Sequence, residues 1–165
     1  MTKTQIILFL IFTVFLVLPI PAYADDGEDS IKNLGWLAIF CGVIGTLPFI
    51  TMVKIRKYAV SAGGSSMEIA RGIGTVYKPI LNFHIMMNSI GYGVGMLHGL
   101  LFSEHLDSIA LSLAIVMTVL MISGLMLKYT SSRNTKIFNR LLHGQFILVI
   151  LLICLVVLHI LTADD

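Results

Sequence analysis

Residues 108–127 read SIALSLAIVMTVLMISGLML, twenty positions without a charged side chain. A helix of about 20 apolar residues crosses the hydrocarbon core of a bilayer. Three other stretches have similar length and apolarity, and we name the four stretches segments A (34–53), B (79–102), C (108–127) and D (141–161). Together they predict an all-α fold, an integral membrane four-helix bundle.

The composition of the whole chain favours the same class. Of 165 residues, 57% are hydrophobic and 12% charged, and the mean hydropathy is +0.94. A soluble domain carries about twice that charged fraction. The formal net charge of +2 is too small to predict nucleic-acid binding, so we expect lipid and not nucleic acid around the protein. Cys41 and Cys154 lie in apolar runs and predict buried apolar thiols, with a disulfide between them as the alternative.

The first 24 residues have the features of a secretory signal peptide. Lys3 precedes an apolar run at 6–18, and Ala22-Tyr23-Ala24 forms an A-x-A cleavage site. We therefore expect residues 1–24 to be removed, which leaves 25–165 as one four-helix transmembrane domain. An uncleaved first helix is the alternative.

Basic residues predict the orientation in the membrane. Most of them lie between segments A and B or between C and D, namely Lys54, Arg56, Lys57, Arg71, Lys78, Lys128, Arg133, Lys136 and Arg140. The other connections and the C-terminal tail are mainly acidic. Because basic loops stay in the cytoplasm, we expect a multi-pass protein of the plasma (cytoplasmic) membrane with both termini outside (N-out, C-out).

Local signals refine the helices. Pro48 is expected to kink segment A, and Pro79 suits the first turn of segment B. Ser65 and Glu68 have the spacing of a capping box, which predicts a separate short interfacial helix before segment B.

Four of the five histidines lie in two alternate segments. Segment B holds His84 and His98, segment D holds His143 and His159, and segments A and C hold none. Ionisable residues inside membrane spans are costly and usually functional. In the predicted topology, segments B and D run in the same direction, so His84 lies level with His143 and His98 level with His159. Two such layers predict bis-histidine ligation of two b-type haems, with the four histidines as axial ligands of the iron.

Helix geometry supports this assignment in segment B but disagrees with it in segment D if that segment is a straight helix. A step of 14 residues from His84 to His98 leaves them within about 40° on one face, about 21 Å apart along the axis. A step of 16 from His143 to His159 places them about 160° apart on a straight helix. Segment D must therefore change register, at a π-bulge or near Gly144. Otherwise only one haem is held, and His105 is the substitute ligand.

Other residues are candidates around the haems. Small residues in segment B are expected to make room for a macrocycle, with ordinary close helix packing as the alternative; they are Gly91, Gly93, Gly95 and Gly99. Polar residues that would hydrogen-bond the ligands are Asn88, Ser89, Tyr92 and Gln145. Lys78 and Arg140 are candidate partners of the haem propionates.

The segments His84-Ile85…Leu97-His98 and His143-Gly144…Leu158-His159 resemble the four-helix di-haem core of respiratory cytochromes b. They are also similar to the membrane domain of ferric reductases and NADPH oxidases, although the spacing in segment D is longer here. The resemblance covers segments A to D. It implies a minimal di-haem b-type cytochrome and does not identify the electron donor or acceptor. We expect an electron-transfer subunit of an oxidoreductase complex that links a quinone or a redox partner protein to an acceptor across the membrane.

Two other functions fit the same histidines. A small transporter or proton channel would use them along a water-lined path, with further polar residues at mid-membrane. A non-redox membrane anchor subunit would use them for helix packing alone. Glu104, His105 and Asp107, in the turn after segment B, are candidates to take protons from a quinol, but a solvated turn is the simpler interpretation.

Overall fold

The computed structural model describes residues 27–102, 107–144 and 146–162. Within these ranges the chain forms five helices and no strand: α1 (Gly27–Ala62), α2 (Ser66–Leu101), α3 (Ser108–Tyr129), α4 (Arg133–His143) and α5 (Phe146–Thr162). The predicted all-α class is confirmed. The predicted signal peptide, Glu104, His105 and Gln145 lie outside the described residues.

Two of these helices are long and apolar enough to cross a membrane. They are α1, over Ile31–Ala62 with a mean hydropathy of 2.0, and α3, with 2.4. A third is added if α4 and α5 are counted as one bent span. Although α2 has the length, its histidines, asparagines and glycines make it less apolar. Length and composition therefore indicate membrane association, and the four-span arrangement stays a prediction.

The exposed surface of α3 is what a lipid-facing helix requires. Leu111, Ile115 and Ile122 are 57%, 56% and 57% exposed, and their spacing places them along one side of the helix. A soluble protein rarely exposes such a continuous apolar surface to water. The helix begins where segment C predicts, and the Asp107 carboxylate caps it by accepting a hydrogen bond of 2.6 Å from the Ala110 N–H.

Both α1 and α2 are longer than segments A and B. Each has 36 residues, or about 54 Å of helix, against the roughly 30 Å of a hydrocarbon core. Pro79 lies inside α2, so its predicted place in a first turn is wrong, and the separate helix predicted before it is part of α2. A proline removes one hydrogen bond, and the intact turns on both sides keep the helix continuous.

Glycines make the turn between α1 and α2. Gly63 has φ 64° and Gly64 has φ 55°, in the left-handed region that other residues rarely adopt. The Gly63 N–H donates to the Ala59 carbonyl at 3.3 Å, which closes the last turn of α1.

The chain divides into two compact units, residues 1–94 and 95–165. In the described part of the first unit, α1 packs on α2 around Cys41, Met87 and Ile90. The contact is close at Gly91, where an added Cβ atom would lie 3.0 Å from the Ala38 carbonyl oxygen. Gly91 therefore serves helix packing, the alternative to the predicted room for a macrocycle.

The second unit contains the end of α2 and the helices α3, α4 and α5. Both α4 and α5 pack on α3, and their axes differ by 43°. Segment D, predicted as one helix over 141–161, is therefore divided between the end of α4 and α5. The reason is local: α4 ends at His143, and Gly144, a poor helix former, caps it by donating its N–H to the Arg140 carbonyl at 2.9 Å.

Candidate cofactor site

The histidines predicted for the outer layer lie next to each other in the second unit. His98 is in the last turn of α2 and His159 in the last turn of α5. Their ring centroids are 6.2 Å apart, and the ring planes are nearly perpendicular, at 83°. Both side chains are half-buried. The structure thus brings together two imidazoles that are 61 positions apart in the sequence.

This separation fits a metal ion held between the two rings. Bonds of about 2 Å from a metal to one nitrogen of each ring, on opposite sides, place the centroids roughly 6 Å apart. Imidazole is an established axial ligand of haem iron. The perpendicular planes are compatible with this, because an imidazole can rotate about its single bond to a metal. The separation of the His98 and His159 rings would therefore allow them to hold a b-type haem, and it is also that of an ordinary edge-to-face ring pair.

The immediate neighbours of His98 are an aromatic ring and a glycine. The Phe102 ring lies 5.2 Å from the His98 ring in an edge-to-face arrangement, at 73°. At Gly99 an added Cβ atom would meet nothing within 4 Å. Unlike Gly91, Gly99 has open space beside the candidate ligand.

His84 contacts the backbone of α1. Its Nδ1 atom lies 3.1 Å from the Gly45 carbonyl oxygen and 3.2 Å from Nδ2 of Asn88. A carbonyl only accepts, so Nδ1 carries the proton and donates it to Gly45. Asn88 instead donates from Nδ2 to the His84 carbonyl at 2.8 Å, and its Oδ1 accepts from the Thr46 hydroxyl at 3.2 Å.

An aromatic ring restricts His84 further. Phe49, one helical turn beyond Gly45, stacks on the imidazole with centroids 4.6 Å apart and planes at 23°. Phe49 also contacts the Tyr77 ring at 6.1 Å, and the Arg56 guanidinium lies 5.9 Å from the Tyr77 ring centroid. The ring of His84 is thus fixed both by a hydrogen bond and by stacking.

His143 makes the corresponding contact in the second unit. Its Nδ1 atom lies 2.9 Å from the Leu120 carbonyl oxygen of α3. The Ser123 hydroxyl is 3.4 Å from the same nitrogen and donates to the same carbonyl at 3.0 Å. An added Cβ atom at Gly124 would lie 2.8 Å from Cε1 of His143. Nδ1 therefore again carries the proton, and a glycine makes room for the ring.

His84 and His143 consequently share one tautomer. With the proton on Nδ1, the lone pair is on Nε2, the nitrogen with which such a histidine binds a metal. Metal-binding histidines usually donate their other N–H to a carbonyl or carboxylate in this way. The same bond also occurs between membrane helices without any metal. His84 lies in the first unit and His143 in the second.

Several partners of these histidines escaped the sequence prediction. Asn88 was predicted next to His84 and contacts it, whereas Phe49 and Ser123 were not predicted. The carbonyl groups of Gly45 and Leu120 were not predicted either. Every residue has a backbone carbonyl, so the residue type does not show which carbonyl accepts a hydrogen bond from a histidine. The only sign of these contacts in the sequence is a small residue at the same depth in the membrane as a histidine on another helix.

The remaining candidates are less informative. The Ser89 hydroxyl donates a hydrogen bond to the Ile85 carbonyl at 2.8 Å, and Lys78 and Arg140 are exposed.

Both cysteines are free thiols. Cys41 is buried as predicted, but Cys154 is exposed, contrary to the prediction. In the described ranges no group of three or more metal-binding side chains is found. Haem needs only two, so this leaves the bis-histidine site open.

No protein-family model, curated protein or solved structure matches the chain.

Proposed function

We propose that this protein is a b-type cytochrome subunit that carries electrons across the membrane between two bis-histidine haems. His98 and His159 would hold one haem, and His84 and His143 would hold the other. The observation that carries the proposal is the pair of half-buried rings 6.2 Å apart at the ends of two helices. The same separation also occurs in edge-to-face ring packing, so the haem measurement below decides between the two.

The proposed topology has four spans, α1, α2, α3 and α5. Their membrane is the plasma membrane, with both termini outside. The 17 residues of α5 are near the lower limit for crossing a bilayer. The helix α2 would cross in spite of its polar residues because its histidines would bind the cofactor. The basic residues Lys54, Arg56 and Lys57 in the second half of α1, together with those of α4, support this orientation.

The chain's own residues would bind the cofactor and tune it. A haem supplies one-electron transfer when it is bound. With His98 and His159 both holding the iron, the haem would supply electron relay and not oxygen binding. The bonds from His84 and His143 to backbone carbonyls fix the ring orientation and make Nε2 a stronger ligand. Lys78 would pair with a haem propionate, whereas Arg140 is exposed on α4.

Electron transfer requires a donor on one side and an acceptor on the other. The described residues are almost entirely helical and form no separate soluble redox domain. The donor and acceptor would therefore be a membrane quinone or a redox partner protein, and the chain would work within a larger oxidoreductase complex.

A second candidate is a non-redox membrane anchor subunit. The bonds from His84 to Gly45 and from His143 to Leu120 favour it, since each of them ties two helices together without any cofactor. The transporter that the sequence also allowed has no comparable supporting contact.

Visible spectroscopy tests the proposal. The full chain is expressed with sufficient haem and purified in detergent, and its haem b is measured by the reduced-minus-oxidised spectrum and by extraction. We expect two haems per chain. His98→Ala and His159→Ala should each lose one, and the double variant should lose no more than either single variant.

His105→Ala tests the substitute ligand: if the four other histidines hold the haems, this variant should leave the haem content unchanged. A colourless protein would support the anchor subunit and overturn the proposal. Full haem content in both His98→Ala and His159→Ala would also reject this pair as ligands.

A further inference from the structure

The helix α4 has three chemically distinct sides. It spans eleven residues, RNTKIFNRLLH, and contains no acidic side chain. At about 100° per residue, Arg133, Lys136 and Arg140 fall within about 60° of the helix circumference. Arg133 and Arg140 are exposed, and Lys136 is half-buried. One side of α4 is therefore purely basic.

Next to the basic side is an exposed apolar side. Ile137, Phe138 and Leu141 fall within about 100° of the circumference, and Asn134 is the one polar residue in that arc. The three apolar side chains are 49%, 61% and 58% exposed. Three large exposed apolar side chains on one short helix would be unfavourable in contact with water.

The third side holds α4 against α3. It contains Asn139, which is buried, and Thr135, Leu142 and His143, which are half-buried. His143 donates to the Leu120 carbonyl of α3 at 2.9 Å. These contacts fix the rotation of α4 about its axis, so the basic and apolar sides both face outward.

We infer that α4 is an interfacial helix that binds anionic phospholipids at the membrane surface. A helix with one apolar side and one basic side lies in the headgroup region, with its apolar side chains in the acyl boundary and its cations at the phosphates. Lys and Arg close to a membrane attract anionic lipid. Charge complementarity and the neighbouring apolar side together select this partner.

The position of α4 in the chain agrees with this inference. It follows α3 after three residues, and the last residue of α3, Tyr129, is 64% exposed. The Lys128 ammonium lies 5.4 Å from the Tyr129 ring centroid. A tyrosine with a neighbouring lysine is typical of the membrane–water interface. The inference needs only membrane association and does not depend on haem.

Quenching by brominated lipids tests this binding. Phe138→Trp is made in a Trp36→Phe background, which leaves one tryptophan in the chain, and the purified full chain is reconstituted in mixed phosphatidylcholine and phosphatidylglycerol vesicles. Either lipid carries bromine on its acyl chains. We expect quenching in both cases, with a roughly fivefold or greater preference for phosphatidylglycerol around the reporter, since one basic residue near the surface contributes about that factor.

Two further measurements identify the basic side as the cause. Replacing Arg133, Lys136 and Arg140 together by Gln should remove most of the preference. The matched control, Lys54→Gln with Lys57→Gln and Arg71→Gln, removes three exposed charges from α1 and α2 and should preserve it. Raising the salt concentration should weaken the preference without any substitution.

An unquenched reporter at position 138 would overturn the inference, because the apolar side would then face water or a protein partner. A preference insensitive to salt would overturn it as well. The inference would also be overturned if the α4 variant and its control lost the preference for phosphatidylglycerol equally.

Discussion

At the scale of single residues, the histidines combine with backbone atoms rather than with other ionisable groups. His84 donates to Gly45 and His143 to Leu120, in both cases a carbonyl of the preceding helix. A carbonyl oxygen has two lone pairs, so it can accept from its own helix and from a histidine as well. In an apolar environment such a bond satisfies a polar nitrogen that would otherwise be costly to bury.

We predict that Nδ1 carries the proton in the neutral imidazoles of His84 and His143 in the haem-free protein. Nitrogen-15 NMR of the labelled protein in detergent distinguishes this tautomer from the other. Gly124→Ala should change the His143 signals and leave those of His84 unchanged, because the added methyl group would lie 2.8 Å from the His143 ring. Finding the proton on Nε2 in either residue would contradict the prediction.

At the scale of the helices, the break between α4 and α5 changes the geometry expected for segment D. The angle of about 160° between His143 and His159 applies to one straight helix. The two residues lie instead on separate helices, with axes 43° apart. The sequence pointed to a change of register near Gly144 but could not give its form, because the direction in which α5 leaves Gly144 depends on its packing against α3.

The packing of α1 on α2 gives a prediction with a built-in control. Gly45→Ala should lower the free energy of unfolding by about 1–3 kcal/mol, since the added Cβ would lie 2.8 Å from Asn88 and Met87. Gly42→Ala should be neutral or stabilising by up to about 1 kcal/mol, because nothing lies within 4 Å and alanine favours the helix. Denaturation of the purified protein with SDS measures both. Equal stabilities of the two variants would contradict the expected contact.

At the scale of the whole molecule, the residues between segments A and B are not a loop. They are the ends of α1 and α2, joined by a short turn at Gly63 and Gly64. Five basic residues lie in this region, at 54, 56, 57, 71 and 78. Their positive charge opposes transfer across the membrane, so this end of the helical hairpin is expected to stay in the cytoplasm.

Reporter fusions test that topology. Alkaline phosphatase fused after Gly64 should be inactive because it would remain in the cytoplasm, and phosphatase fused after Asp165 should be active because it would be exported. Green fluorescent protein at the same two positions serves as the reciprocal control. Phosphatase activity at position 64, or equal activity at both positions, would refute the four-span arrangement with both termini outside.

The sequence by itself determined the all-α class, the apolar run of α3 and the pairing of His98 with His159 as a hypothesis. Hydrophobic length and residue spacing act along one chain, so they can be read directly from it. The tertiary structure alone decided that the carbonyls of Gly45 and Leu120 receive the histidines and that α4 ends at His143 with its apolar side outward. These features depend on how closely two helices approach and on how each is rotated about its axis. The amino-acid sequence does not show which backbone carbonyls will accept a side-chain hydrogen bond.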